Sequence, residues 1–339
     1  MDERTVQANI KLYDSHAPVQ HQSDRQMMRQ RNKGRAIQLK QYHNAVKAKL
    51  LQLFAENKDS LLDMCCGRGG DINKWVECNI RKVKGLDISP LEIVEAVRRF
   101  HQVKKRKNTK LEATFNHVTC LGTKEITWDC QYDVVTCMFA IHYFFVSEQA
   151  IKMFLKNVAT ALKPGGYFIA TFPSGKQVLK MLNQRDEFRS PMLYLRKHWK
   201  GKNPSKPFGE AFECAITDTV TKAENEGEIV ASLEYLVFFN AIEALAKEVN
   251  LKLVKNYGDH SGNALFQDAD VVSGFKHFKP PFDDDEPDLR GLKAASELYV
   301  ATVFQMGEES APEAAKDTSP KNSKGPESDA GPAQKKQKV

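Results

Sequence analysis

Residues 61–71 read Leu61-Leu62-Asp63-Met64-Cys65-Cys66-Gly67-Arg68-Gly69-Gly70-Asp71, and this stretch decides the fold. An apolar run from Ser60 to Cys65 stops at a cluster of glycines, and a helical stretch follows through Trp75. That is the pattern of a strand, a tight turn and a helix. Glycine at such a turn lets the backbone approach a ligand closely, because no Cβ stands in the way. Twenty residues after Gly67 the next apolar run ends in Leu86-Asp87, where a carboxylate can accept hydrogen bonds from two ribose hydroxyls. Tight βα turns need glycine with or without a ligand, so the pair of turn and carboxylate carries the nucleoside reading, not the turn alone.

Outward from the turn the same rhythm repeats. Upstream, Ile37, Leu39, Tyr42, Val46, Leu50, Leu51 and Phe54 have helical spacing. Downstream, strands are expected at Lys82 to Asp87, Ala113 to Val118, Tyr132 to Met138 and Tyr167 to Phe172, with helical segments between most of them. Alternating units of this kind predict an α/β fold, a mostly parallel sheet with helices on both faces. After Pro173 the alternation stops, and residues 174–232 read as an insertion over the sheet rather than a separate domain. A helix is expected at Leu233 to Val249, strands at Leu251 to Tyr257 and Leu298 to Gln305, and a loop at Pro280 to Asp288. Residues 1–32 are polar and Gln-rich, a flexible arm. The folded domain is set at 33–306. Residues 307–339 hold no aromatic side chain and cannot bury enough apolar surface to offset their ordering entropy, so a disordered tail is expected there.

Composition narrows the class. The chain has 339 residues, 41% of them hydrophobic, which is enough for one large core. Seven cysteines, an odd number without two spaced pairs of the CxxC type, read as reduced thiols; neither a disulfide framework nor a zinc site is expected. No apolar run is long enough to span a bilayer and residues 1–10 lack a secretory pattern, so a soluble intracellular protein with no membrane association is expected. The net charge is +7. Basic residues gather at Arg25 to Lys49, Arg98 to Lys110 and Arg196 to Lys206. Each alone reads as a solvated face, whereas three clusters around one cleft suit a polyanion. The last residues, Lys335-Lys336-Gln337-Lys338-Val339, are compatible with nuclear import.

A turn of this kind serves a nicotinamide dinucleotide or S-adenosylmethionine. Asp71 sits where a pyrophosphate would approach the helix, which disfavours the dinucleotide. The sulfonium and ammonium groups of S-adenosylmethionine instead prefer carboxylates, and Asp63 at the end of the first strand is placed to orient them or to brace the loop.

The sequence resembles the eukaryotic messenger RNA cap guanine-N7 methyltransferases from about Gly34 to Phe304. The residues that carry the resemblance are Leu62-Asp63, Gly67-Arg68-Gly69-Gly70-Asp71 with Lys74-Trp75, Asp87-Ile88, Tyr132-Asp133, Phe139 and His142-Tyr143. It continues through Pro164-Gly165-Gly166-Tyr167-Phe168-Ile169, Pro207-Phe208-Gly209, Glu234-Tyr235-Leu236-Val237 and Tyr299. The resemblance implies a Rossmann-like class I methyltransferase fold with a cap-binding insertion. It implies S-adenosylmethionine as cofactor, S-adenosylhomocysteine as product, no metal, and the capped 5′ end of mRNA as substrate. Lys47, Asp63, Cys65, Gly67, Asp87, Thr119, Met138 and Tyr143 take cofactor positions. His43, Asn44, His142, Glu234 and Tyr299 take positions that hold the cap guanine, and Arg68, Lys74 and Arg99 lie near the triphosphate bridge or the cap pocket. His142, Tyr143, Glu234 and Tyr299 form the catalytic set. A monomer in the nucleus, beside the transcription or capping machinery, completes the expectation.

This chain departs from the family's pattern at Cys65, where a further glycine is usual, at Thr119 for an aspartate and at Met138 for a glutamine; His43 and Ser174 replace asparagines. These departures keep two alternatives in view: a catalytically weak RNA-binding or accessory methyltransferase-like protein, and a methyltransferase acting on another nucleobase or a small molecule.

Overall fold

The computed structural model describes residues 10–11, 34–216, 224–225, 228–229, 231–258, 264–268, 274–282 and 285–308. Most of the expected arm and tail, and much of the polar run Thr217 to Gly227, lie outside the described residues.

In chain order the elements are α1 (Ile37–Ala55), β1 (Ser60–Met64), α2 (Ile72–Glu77), β2 (Lys82–Asp87), α3 (Pro90–Lys107), β3 (Glu112–His117), β4 (Tyr132–Met138), a 3₁₀ helix (Ile141–Val146), α4 (Glu148–Ala161) and β5 (Leu162–Pro173). There follow α5 (Gly175–Leu182), β6 (Glu187–Arg189), β7 (Leu193–Lys197), β8 (Ala211–Ile216), the two-residue strands β9 (Glu224–Asn225) and β10 (Glu228–Ile229), and β11 (Ser232–Tyr235). The described chain closes with α6 (Phe239–Glu248), β12 (Leu251–Leu253), β13 (Phe266–Asp268), β14 (Lys276–Phe278), α7 (Pro287–Glu297) and β15 (Tyr299–Met306).

The main sheet runs β13-β14-β15-β5-β4-β1-β2-β3, with β12 also on β15. Strands β3, β2, β1, β4 and β5 are parallel, and β15 closes against β5 antiparallel. All five residues of β1 are buried, as a central parallel strand covered on both faces requires. Its side chains alternate between two cores. Leu61 packs with α1 residues Val46 and Leu50 on one face, and Leu62 packs with α4 residues Phe154 and Leu155 on the other. This is the expected α/β class.

The sequence reading differs from the structure where elements are short. In the stretch after Pro173, where the sequence alone offers no strand positions, β11, β8, β7 and β6 form a second, antiparallel sheet, and its inner residues Leu193, Leu195, Phe212 and Cys214 join the α1-side core. The helix expected at Leu233 to Val249 begins only at Phe239, and Glu234 lies on strand β11. The physical reason is a two-residue period: Ser232 and Glu234 are buried and share a face, and Ser232 Oγ donates to Glu234 Oε1 at 2.7 Å. The strand expected at Leu251 to Tyr257 ends at Leu253. Pro287, read as part of a loop, instead starts α7 from its first position, where its missing N–H costs nothing.

Candidate active site

The carboxyl ends of the parallel strands open on one cavity of about 460 Å³. It lies where β1 is flanked by β2 on one side and β4 on the other, the switch point at which open α/β sheets bind ligands.

One half of the cavity is built by the turn after β1. Cys65 and Cys66 both donate backbone N–H to Leu86 O at 2.8 Å, tying the turn to β2. Cys65 has φ +83°, in the region that favours glycine, and Gly67 has φ +51°. Asp87, buried at the end of β2, accepts from Gly67 N at 2.7 Å and Ser89 N at 2.9 Å. Burial raises its pKa, and those backbone donors oppose the shift. Cys65, Gly67, Asp87, Thr119 and Met138 all line this half.

Helix α1 contributes His43 and Lys47, one turn apart, to the same wall. Lys47 Nζ is bonded to Asp71 Oδ2 at 2.7 Å, and Lys74 Nζ approaches Asp71 Oδ1 at 2.9 Å. The two cations outweigh burial and hold Asp71 down at a pKa of about 2. Asp71 is thus charge-compensated and does not line the cavity, so the repulsion of a pyrophosphate read from its sequence position is weakened. His43 stacks on Phe139 at 5.0 Å and meets Tyr299 edge-on at 5.1 Å. Burial, helped by the Lys47 charge, lowers the His43 pKa to about 3, so its ring is neutral.

The other half comes from the 3₁₀ helix and the second sheet. His142 and Tyr143 line it from the former, Glu234 of β11 from the latter, and Tyr299 enters from the start of β15. His142 Nε2 and Glu234 Oε2 are 3.7 Å apart. Burial lowers the His142 pKa to about 3 and raises that of Glu234 to about 7, so this contact is not an ion pair. Glu234 Oε2 and both ring nitrogens of His142 are buried without a hydrogen-bond partner among the described residues.

Twelve of the residues singled out from the sequence therefore meet at one cavity: His43, Lys47, Cys65, Gly67, Arg68, Asp87, Thr119, Met138, His142, Tyr143, Glu234 and Tyr299. Four do not line it. Asp63 is buried below and accepts from Thr136 Oγ1 at 2.9 Å, with burial and the Asp71 charge raising its pKa to about 7. Asn44 accepts from Lys74 Nζ at 2.7 Å, and Arg99 is drawn to Glu95 at 2.6 Å. Glu92, also on the wall, was missed by the sequence reading. Its signal was local: Ser89-Pro90-Leu91-Glu92 is a capping sequence, and Ser89 Oγ accepts from Glu92 N at 3.1 Å. No group of three or more metal-ligating side chains occurs among the described residues, all seven cysteines are free, and no described helix is long and apolar enough to cross a membrane.

The family model of the mRNA (guanine-N(7))-methyltransferase domain matches residues 5–304. An mRNA cap guanine-N(7) methyltransferase 1 of Oryza sativa subsp. japonica is 30% identical over 246 residues, covering 68% of this chain and 64% of its own. Its namesake in Arabidopsis thaliana is 30% identical over 244 residues, covering 68% and 63%. The chain thus spans a little under two thirds of the length of these plant relatives. Among solved structures, an S-adenosylmethionine-dependent methyltransferase from Clostridium acetobutylicum ATCC 824 aligns with a TM-score of 0.47 at 14% identity, over 79% of this chain and 92% of that one.

Proposed function

Because the chain belongs to the mRNA (guanine-N7)-methyltransferase family, we propose that it transfers a methyl group from S-adenosylmethionine to N7 of the guanine that caps an mRNA 5′ end. The observation that carries this reading is the pairing of two unlike carboxylates in one cavity. Asp87 is held by backbone donors, while Glu234 has an oxygen buried and, among the described residues, unpartnered beside a neutral His142. Buried polar groups are normally hydrogen-bonded, so this oxygen and the His142 ring are suited to bond a polar ligand.

The residues fit the cofactor. Gly67 permits close approach, Asp87 retains lone pairs for ribose hydroxyls, and Lys47 lies on the wall for a carboxylate. When bound, S-adenosylmethionine supplies an electrophilic methyl on a sulfonium. Guanine N7 already carries an in-plane lone pair, so the N–C bond forms as the S–C bond breaks and no proton has to leave first. A general base is unnecessary; alignment of the two reactants contributes on the order of 7–11 kcal/mol. Glu234 would accept from guanine N1–H and the exocyclic amine, stabilising the positive charge that develops on the ring. His142, neutral, would position the base rather than move a proton. Tyr143 and Tyr299 offer aromatic surface to the purine, worth about 1–3 kcal/mol per stacked base. The substrate is then a capped 5′ end, met in the nucleus beside the transcription or capping machinery by a monomer that needs no metal.

Labelled cofactor offered with capped RNA, uncapped triphosphate RNA and free cap dinucleotide tests this. Label should enter only the capped species, at guanine N7. Glu234→Ala should cut kcat/KM about 10–100-fold, the cost of one charged hydrogen-bonding group, while cofactor affinity stays within about threefold. Transfer to uncapped RNA, or equal loss of cofactor binding in Glu234→Ala, would sink the assignment.

A further inference from the structure

The charged wall of the cavity is balanced rather than basic. Lys40, Lys47 and Arg68 are set against Asp87, Glu92 and Glu234, and His43 and His142 are neutral. Arg68 is forked onto Glu92, with Nε donating to Oε2 at 3.0 Å and Nη2 to Oε1 at 2.5 Å. The Glu92 side chain is 5% exposed and that of Arg68 23%, so this pair is little screened by water. The α3 cap holds the Glu92 backbone, and the Glu92 charge also reaches Asp87, whose pKa it helps to raise. The other two cations assigned to the phosphate bridge are also matched, Lys74 by Asp71 at 2.9 Å and Arg99 by Glu95 at 2.6 Å.

A bidentate arginine–carboxylate fork is among the stronger charge-assisted contacts. A polyphosphate that reaches Arg68 must compete with it, and at closest approach it also meets the Glu92 charge. We propose that Glu92 is a specificity-determining residue. It masks Arg68 so that a polyphosphate binds appreciably only when a guanine seated against Glu234 contributes the remaining free energy. The chain would thereby discriminate against uncapped triphosphate ends by withholding a phosphate contact, not only by reading the base. This rests on the cap reading above and deepens it.

Calorimetric titration of the full chain with cap dinucleotide and with inorganic tripolyphosphate, across a series of KCl concentrations, tests the proposal. The wild type should bind tripolyphosphate at least about tenfold more weakly than the dinucleotide. Glu92→Gln, which keeps the shape and removes the charge, should tighten tripolyphosphate about tenfold and steepen its salt dependence, as one added ionic contact does. Arg68→Gln alone leaves the Glu92 charge without its cation and so does not isolate the mask; in the Glu92→Gln background it should erase the gain. If Glu92→Gln leaves affinity and slope at wild-type values, or weakens both, Glu92 does not mask Arg68. Should that variant fail to fold, Glu92→Ser, which also removes the charge, takes its place with the same expected and overturning results. Glu234→Gln provides the separate check on the cap reading: it should weaken the dinucleotide and spare tripolyphosphate. If it spares both, the base assignment fails while the Glu92 result stands.

Discussion

The two carboxylates Asp87 and Glu234, which line the same cavity, are prepared in opposite ways. Asp87 sits at the end of a parallel strand and accepts one hydrogen bond from the glycine turn, at Gly67 N, and one from Ser89 N in its own loop, so it is part of the scaffold before any ligand arrives. Glu234 sits on a four-residue antiparallel strand; one oxygen is held by Ser232 Oγ and the other has no partner among the described residues. The first is a structural acceptor with capacity to spare, and the second is a functional group that the fold tolerates at some cost. Removing each should therefore move stability in opposite directions.

The largest effect is expected at Asp87. Asp87→Ala orphans the N–H groups of Gly67 and Ser89, and an unsatisfied buried donor costs about 1–3 kcal/mol, so unfolding free energy should fall by about 2–6 kcal/mol, read from the denaturant midpoint at unchanged m. Cofactor binding should be lost as well. A variant that keeps wild-type stability would mean that water replaces the carboxylate and that the turn does not depend on it.

Glu234→Gln should instead raise stability at pH 8, by about 1 kcal/mol, while activity falls. The sign follows from the pKa. On folding, burial moves this carboxyl from 4.5 to about 7, so the stability it contributes is present below 4.5 and is lost as pH rises through about 7. At pH 8 the wild type carries a buried charge and the glutamine does not. A fall in stability would show that the wild-type carboxylate has a partner after all.

The same titration should appear in binding. Glu234 must be ionised to accept two N–H donors from guanine, so cap-dinucleotide affinity should fall towards tenfold per unit as pH drops below about 7. Its neighbours do not confuse the reading: His142 stays neutral with its pKa near 3, and burial keeps Cys214 protonated. Glu234→Gln should bind weakly and show no such slope. A wild-type profile flat from pH 6 to 8 would remove Glu234 from the base-binding role.

The contrast between the halves also explains what was legible. The cofactor half is written in contiguous sequence, because a turn's glycines and the next strand's terminal carboxylate are fixed by local backbone geometry; Lys82–Asp87 and Tyr132–Met138 fall where hydropathy places them. The base half joins residues 142, 234 and 299 through pairing between distant strands. A four-residue strand is too short to display a period of two, and glutamate within Leu233 to Val249 reads as helix until its hydrogen bond with Ser232 is seen. The resemblance named those residues, whereas periodicity misplaced one of them. Neither source exposed the pairing of Arg68 with Glu92, because an ion pair between the turn after β1 and the helix after β2 leaves no periodic signal.

The smallest expected effect lies at Cys65, the departure from the family's glycine. Its φ of +83° shows that the backbone follows a path open mainly to glycine, and a side chain in the left-handed region costs about 1–2 kcal/mol. Cys65→Gly would relieve that strain but forfeit about 0.5–1 kcal/mol through the greater freedom of glycine in the unfolded chain, along with the packing of a small thiol. The net gain in stability should therefore be under about 1 kcal/mol. Cofactor affinity should change less than about threefold, because the backbone N–H groups already stand where glycine would place them. A much larger gain in affinity would locate the weakness of this divergent turn in the thiol itself, which lines the cavity, and not in backbone strain.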